Sequence, residues 1–202
     1  FLYAAAWQAG AIALFHRDET SGQLKHLETL QNPADLMGVT GFQVSRDGRL
    51  AVAAAFMSGT VTLFERNVET GRLRVLQTVH KTDPGVTGLN FAVRADFSPD
   101  GRFVYTADGG RGGLTAFRVN GPELQWLETN QGTNGCLSGT RGLAIAADGK
   151  RIFTASYQGH SLAVFDRNGT NGLTRLEQVM RNQEDNLHSL RGAFGVTTSR
   201  DG

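Results

Sequence analysis

The stretch Met180 to Phe194, MRNQEDNLHSLRGAF, gathers residue types that could move a proton and hold an anion. His188 with Glu184 or Asp185 could serve as a base that activates water. Arg191, together with Arg141 from an earlier segment, could steady a developing oxyanion or an anionic substituent. Two further segments carry a similar mixture, with His80 and Asp83 in HKTDPGVTGLNFAV and Arg94 and Asp96 just after it. The plainer reading of all these groups is solvated loop charge, and only a scaffold that makes them converge would turn them into a site.

The scaffold is legible as a repeat, which takes precedence over any local pattern. Asp-Gly recurs at Asp47, Asp100, Asp148 and Asp201, at spacings of 53, 48 and 53 residues, and the first three are each followed 17 residues later by Phe64, Phe117 and Phe165. A fixed offset inside a variable period describes a rigid unit joined by variable connections. Each unit reads as four short strands. An apolar run ends at Asp-Gly (GFQVS, ADFS, GLAIA, GVTTS), and the turn reverses the chain because Asp and Gly tolerate its backbone angles. An FVYTA-type run, an alternating VTLFER-type run and an LxxLE-type run follow. Four strands per period of about 50 residues specify a β-propeller blade.

The fold expected is therefore all-β: a propeller of four-stranded antiparallel blades forming one region over residues 1–202. Blade strands two to four fall at 1–31, whole blades at 41–79, 94–129 and 141–179, and a first strand at 195–202. Because the chain starts inside a second strand and stops at an Asp-Gly turn, it is expected to be an excerpt of a larger, seven-bladed propeller rather than a closed four-bladed ring. The aromatic that ends the second strand (Trp7, Phe56, Tyr157) is expected to pack between blades. Only Glu184 to Leu190 suggests a helical turn. The long connections run from the outer strand of one blade to the inner strand of the next, and so must gather at one mouth of the central channel. His80, Asp83, Arg94, Asp96 and Asp185 are the binding candidates there. His188, Glu184, Arg191 and Arg141 are the catalytic ones.

Composition excludes several classes. Twenty Lys and Arg against nineteen Asp and Glu give a net charge of +1, no basis for a nucleic-acid partner. There is no run of 18 apolar residues to span a membrane. Cys136 is the only cysteine, so no internal disulfide forms. The histidines are scattered without a metal-ligand spacing, and neither a metal nor another cofactor is expected. The loop DGGRGG (108–113) joins two strands with no helix N-terminus behind it, so it reads as a flexible hairpin loop, not a phosphate cradle.

The strings SPDGRFVYTADGGRGGLTAFRV (98–119), FERNVETGRLRVL (64–76) and FDRNGTNGLTRLE (165–177) resemble the lactonase-type seven-bladed propellers, and the resemblance covers all four units. That family includes bacterial 6-phosphogluconolactonases, fungal carboxymuconate-lactonising enzymes and exported repeat proteins without known activity. The linkers ending VTGLNFAVR and CLSGTRG are similar to those of the exported group, which implies an extracytoplasmic location; a true 6-phosphogluconolactonase would be cytoplasmic. No catalytic residue of the family matches here position by position. Four similar units without a catalytic insertion suggest a monomeric binding scaffold for a protein, glycan or other partner. The alternative is a hydrolase or lactonising enzyme acting on a sugar or carboxylate lactone at the channel mouth. A redox propeller is the third, least supported reading.

Overall fold

The computed structural model describes residues 1–184 and 187–199, and its architecture follows from the repeat. The first sheet contains β1 (Leu2–Ala6), β2 (Ala11–Arg17) and β3 (Leu24–Gln31). After the short α1 (Pro33–Leu36), three four-stranded sheets follow: β4 (Val39–Val44) to β7 (Leu73–His80), with β5 (Leu50–Ala55) and β6 (Thr60–Arg66); β8 (Ala92–Phe97) to β11 (Glu123–Asn130), with β9 (Phe103–Asp108) and β10 (Leu114–Asn120); and β12 (Thr140–Ile145) to β15 (Thr174–Arg181), with β13 (Arg151–Ser156) and β14 (Ser161–Arg167). Within each sheet every strand pairs antiparallel with its sequence neighbour. No helix among the described residues is long and apolar enough to cross a membrane.

The turns are built as their sequence specifies. Asp47, Asp100 and Asp148 each accept a hydrogen bond from the backbone N–H two residues on, at 3.1, 3.1 and 2.9 Å. Ser45 and Ser98 add a hydroxyl donor to the first two carboxylates.

The core consists of three layers, each between consecutive sheets. One joins Ile12 and Tyr3 to Ala53 and Phe64; the next joins Val52 and Val61 to Val104 and Phe117; the third joins Phe103 and Tyr105 to Ile152 and Phe165. Phe64, Phe117 and Phe165 are fully buried. Beside each of them, and beside Phe15, the fourth strand bulges by one residue. Such a bulge bends and twists the outer strand.

A second contact locks the layers at the end opposite the channel mouth. In the first layer Arg66 Nε donates to the Tyr3 hydroxyl (2.6 Å) and Nη1 to Gly48 O (2.8 Å). In the third, Arg167 donates to the Tyr105 hydroxyl (3.0 Å), Gly149 O (2.9 Å) and Asp100 Oδ2 (2.8 Å), while Tyr105 donates to Gly172 O (2.7 Å). Gly172 has φ +82°, and a Cβ there would run into the Phe103 ring. In the middle layer the same two positions hold Val52 and Val119, and the contact is apolar. Burial opposes the charge on Asp100, but the Ser98 hydroxyl and Arg167 outweigh it and hold the carboxyl well below the ordinary carboxylate range.

Three expectations need correction. Gly195 to Ser199 forms no strand: no described strand borders it as a ladder partner, and it lies instead across Gly142, whose Cβ would meet Phe194 O and Val196 N. The first sheet accordingly stays three-stranded and is not completed by this segment into a ring. Residues 184 and 187–190 are not helical, while α1 forms where a plain connection was expected. Its start is specified by Asn32, which accepts from Asp35 N (3.4 Å) and donates to Asp35 Oδ2 (2.9 Å), with Pro33 in the first turn. Residues 201–202, the last Asp-Gly, lie outside the described residues.

Phe117→Ala is expected to lower stability by about 3–5 kcal/mol, whereas Phe15→Ala, at a half-buried position, should cost markedly less; urea unfolding of both variants checks this. Arg167→Ala empties a buried position, takes the donor from the Tyr105 hydroxyl and Gly149 O, and leaves the exposed Asp100 with Arg102 as its remaining ion pair, and should cost about 3 kcal/mol. The Asp100 part of that loss belongs to pH above 3.8 and should fade as the pH falls below it, because the folded carboxyl is depressed.

Candidate functional site

The inner strands β4, β8 and β12 stand side by side and line the channel. In a strand, residues i and i+2 share a face, so Arg94 and Asp96 of β8 both point away from the layer that buries Ala95 and Phe97. The same register positions hold Gly41 and Gln43 in β4 and Gly142 and Ala144 in β12. Only the third sheet, among the described ones, places a charged pair there. Gly41 is required for this arrangement, since a Cβ on it would lie 2.9 Å from the Arg94 Cα.

Gln43, Arg94, Asp96, Gly142, Ile145 and Thr197 border a cavity of about 310 Å³. That is the lower end of the range for small-molecule sites. Arg94 and Asp96 are about 7 Å apart along the strand, as two residues of extended chain require. The two side chains border the same cavity without forming an ion pair. Burial raises the Asp96 carboxyl to about 6; the Phe97 N–H and the nearby Arg94 charge pull the other way without cancelling it.

At the mouth each inner strand carries a bulge, and the extra residues are Thr40, Val93 and Arg141. A bulge re-aims a side chain. Here it turns Arg141 over the Phe56 and Phe194 rings, 5.7 and 5.6 Å from their centres. Phe56 stacks on Phe91 at 4.6 Å, packing across the boundary between the second and third sheets as expected. Tyr157, 48% exposed, meets Phe194 of the following connection edge-on with ring centres 6.4 Å apart, while Trp7 is 43% exposed. Phe56, Lys81, Phe91, Arg111, Arg141 and Gln158 line a second cavity of about 590 Å³.

DGGRGG is not a loose loop. Asp108 is buried and accepts from Asn90 N (3.1 Å) and Gly110 N (2.7 Å), tying the hairpin to the preceding connection. At Gly112, φ +82°, a Cβ would collide with the Leu137 backbone.

The remaining candidates fall elsewhere. His80 Nε2 lies 3.0 Å from Asp35 Oδ1 and fastens the end of β7 to α1, while Asp83 accepts from His80 N and closes the turn after β7. Glu184, His188 and Arg191 are exposed on the last connection and border neither cavity. Asp185 lies outside the described residues. Among the described residues, no group of three His, Cys, Asp or Glu is arranged to hold a metal ion. Lys81, Phe91 and Arg111 were not singled out in the sequence, where nothing but their nearness to connections marks them.

Antiparallel sheets stacked side by side, three of them four-stranded, define a β-propeller. The sequence matches the family described as "Lactonase, 7-bladed beta-propeller" over residues 1–90 and 94–193, and the chain belongs to that family. No curated protein matches this sequence. Similar solved structures include a protein from Bacteroides uniformis provisionally described as a 6-phosphogluconolactonase (TM-score 0.76, 23% identity, 89% of this chain and 51% of that one). Others are a Lactobacillus plantarum protein (0.74, 19%, 92% and 51%) and the Pseudomonas aeruginosa periplasmic gluconolactonase PpgL (0.72, 23%, 89% and 50%). At these identities the likeness is one of fold, and the chain spans about half the length of these structures.

Asp96→Asn is expected to raise the unfolding midpoint at pH 7.5. The unfolded chain loses this proton near 3.8 and the folded one near 6, so the carboxylate costs stability above pH 6 and the cost vanishes as pH falls toward 3.8. Thermal unfolding of both proteins at pH 4 and pH 7.5 should therefore show a difference only at the higher pH.

Proposed function

We propose that the channel site opens a lactone by adding water to its carbonyl. The observation that carries this reading is the Arg94–Asp96 pair, on one face of β8 and bordering one small cavity, at register positions where the neighbouring sheets have Gly, Gln and Ala. A repeat that breaks its own pattern with a half-buried charge marks a functional position. Membership of the lactonase family supports the same chemistry.

In the proposed step, water attacks the carbonyl carbon while the Asp96 carboxylate takes its proton. A carboxyl titrating near 6 is charged at neutral pH yet more basic than an ordinary aspartate. The negative charge that develops on the carbonyl oxygen is met by the Arg94 guanidinium. As the ring C–O bond breaks, the leaving alkoxide receives the proton from Asp96, which returns the carboxylate and yields a hydroxy acid. Gln43 offers a neutral donor and acceptor on the facing strand for a substrate hydroxyl. His188, Glu184 and Arg191 have no part in this step. A pure binding scaffold gives no reason for a carboxyl held near 6 beside an arginine, and so ranks second.

Asp96→Asn should lower the rate of lactone opening by roughly 10²-fold or more, with Arg94→Ala lowering it to a similar degree. The wild-type rate should rise through about pH 6 as Asp96 ionises. Hydrolysis of glucono-δ-lactone, followed by acid release against the buffer's spontaneous rate, measures all three. An unchanged rate in Asp96→Asn would remove the assignment and return the scaffold reading to first place.

A further inference from the structure

We propose that the mouth cavity is a separate binding site for an organic anion with a flat apolar body, of the kind an aromatic carboxylate presents. Phe56, Arg111 and Gln158 reach it from just beyond the ends of the second strands, Lys81 and Phe91 from the connection between the second and third sheets, and Arg141 from the bulge at the mouth end of β12. The two cavities share no bordering residue. The proposal thus stands whether or not the channel opens lactones.

Three cations converge on this cavity. Lys81 and Arg111 are exposed, and Arg141 is half-buried. Among the described residues, none of the three side chains makes an ion pair or a hydrogen bond. The carboxylate nearest in sequence to this loop, Asp108, is buried beneath it with backbone N–H groups bound to its oxygens. It therefore offers little to neutralise the cluster.

The arginine is also prepared for an acceptor. With rings against its face, the Arg141 guanidinium keeps its in-plane N–H donors for a ligand. The apolar part of the site is the Phe56–Phe91 stack. Phe91 is 42% exposed, an aromatic left open beside unpaired cations. Gly109 and Gly110 make room for it, since a Cβ on Gly110 would lie 2.5 Å from the Phe91 ring. A flat apolar body can extend that stack while its anionic group reaches Lys81, Arg111 and the Arg141 edge. A bare inorganic anion would leave the rings unused, and a neutral ring would leave the cations unused.

The test is titration of the intact protein with benzoate, benzamide and inorganic phosphate, read by calorimetry or ligand-observed NMR. Benzoate should bind saturably, and benzamide roughly tenfold more weakly or worse. The Lys81→Ala/Arg111→Ala double variant should weaken benzoate by roughly tenfold or more, and Arg111→Glu should abolish its binding. Phe91→Ala should weaken benzoate while leaving phosphate unaffected. Absence of saturable benzoate binding would overturn the site. Equal affinity for benzoate and benzamide would overturn its anionic half, and phosphate binding as tight as benzoate with no effect of Phe91→Ala would overturn its apolar half. Glucono-δ-lactone turnover measured on the same samples keeps the two proposals apart: a protein inactive on the lactone that still binds benzoate sustains this one alone.

Discussion

A four-stranded antiparallel sheet has two faces, and a lone sheet of this size can bury neither. That constraint organises the molecule. Each sheet buries its faces on its neighbours, so the core is a set of layers rather than a centre. The recurring Phe64, Phe117 and Phe165 are the large side chains that fill successive layers, which explains why their distance from the Asp-Gly turn does not vary while the connections do. The Tyr3–Arg66 and Tyr105–Arg167 contacts and their Val52–Val119 counterpart are alternative solutions at one position of that layer. The pairs change together because a buried arginine needs an acceptor from the sheet opposite, and a valine needs a valine-sized surface.

This layered arrangement leaves two surfaces available for chemistry, the inner strands and the mouth. The inner strands are held so close that Gly41 cannot carry a Cβ against β8, and only small or extended side chains fit along the channel. A charged pair in that position is costly, as the raised Asp96 carboxyl shows. At the mouth, the bulge in each inner strand frees one side chain from the ladder, and Arg141 is the charged member of that set.

The strands, their order and the turn positions were legible from the sequence because the period of the repeat and the Asp-Gly signal are both local properties. Four-residue α1 escaped because its only signal, Asn32-Pro33, reads equally well as a turn. Residues 195–199 were read as a strand on pattern alone, yet a strand is defined by a hydrogen-bonded partner that its own sequence cannot supply. Arg94 and Asp96 were expected at the mouth and lie instead on the channel wall, and their standing apart from Gly41, Gln43, Gly142 and Ala144 depends on register, which the bulges shift by one residue in each inner strand. The grouping of Lys81, Arg111 and Arg141 joins three different connections and hairpins, and no spacing in the chain announces it.

The account rests most heavily on the state of one carboxyl. Burial in the channel is held to lift Asp96 to about 6 despite Arg94, and both its cost to the fold and its basicity toward water follow from that. Titrating the aspartate side-chain carboxyl carbons by NMR, with Asp96→Asn to assign the resonance, measures it directly. A midpoint near 6 is the result predicted. A midpoint near 3.8, the ordinary aspartate value, would mean a solvated surface charge and would contradict the central claim.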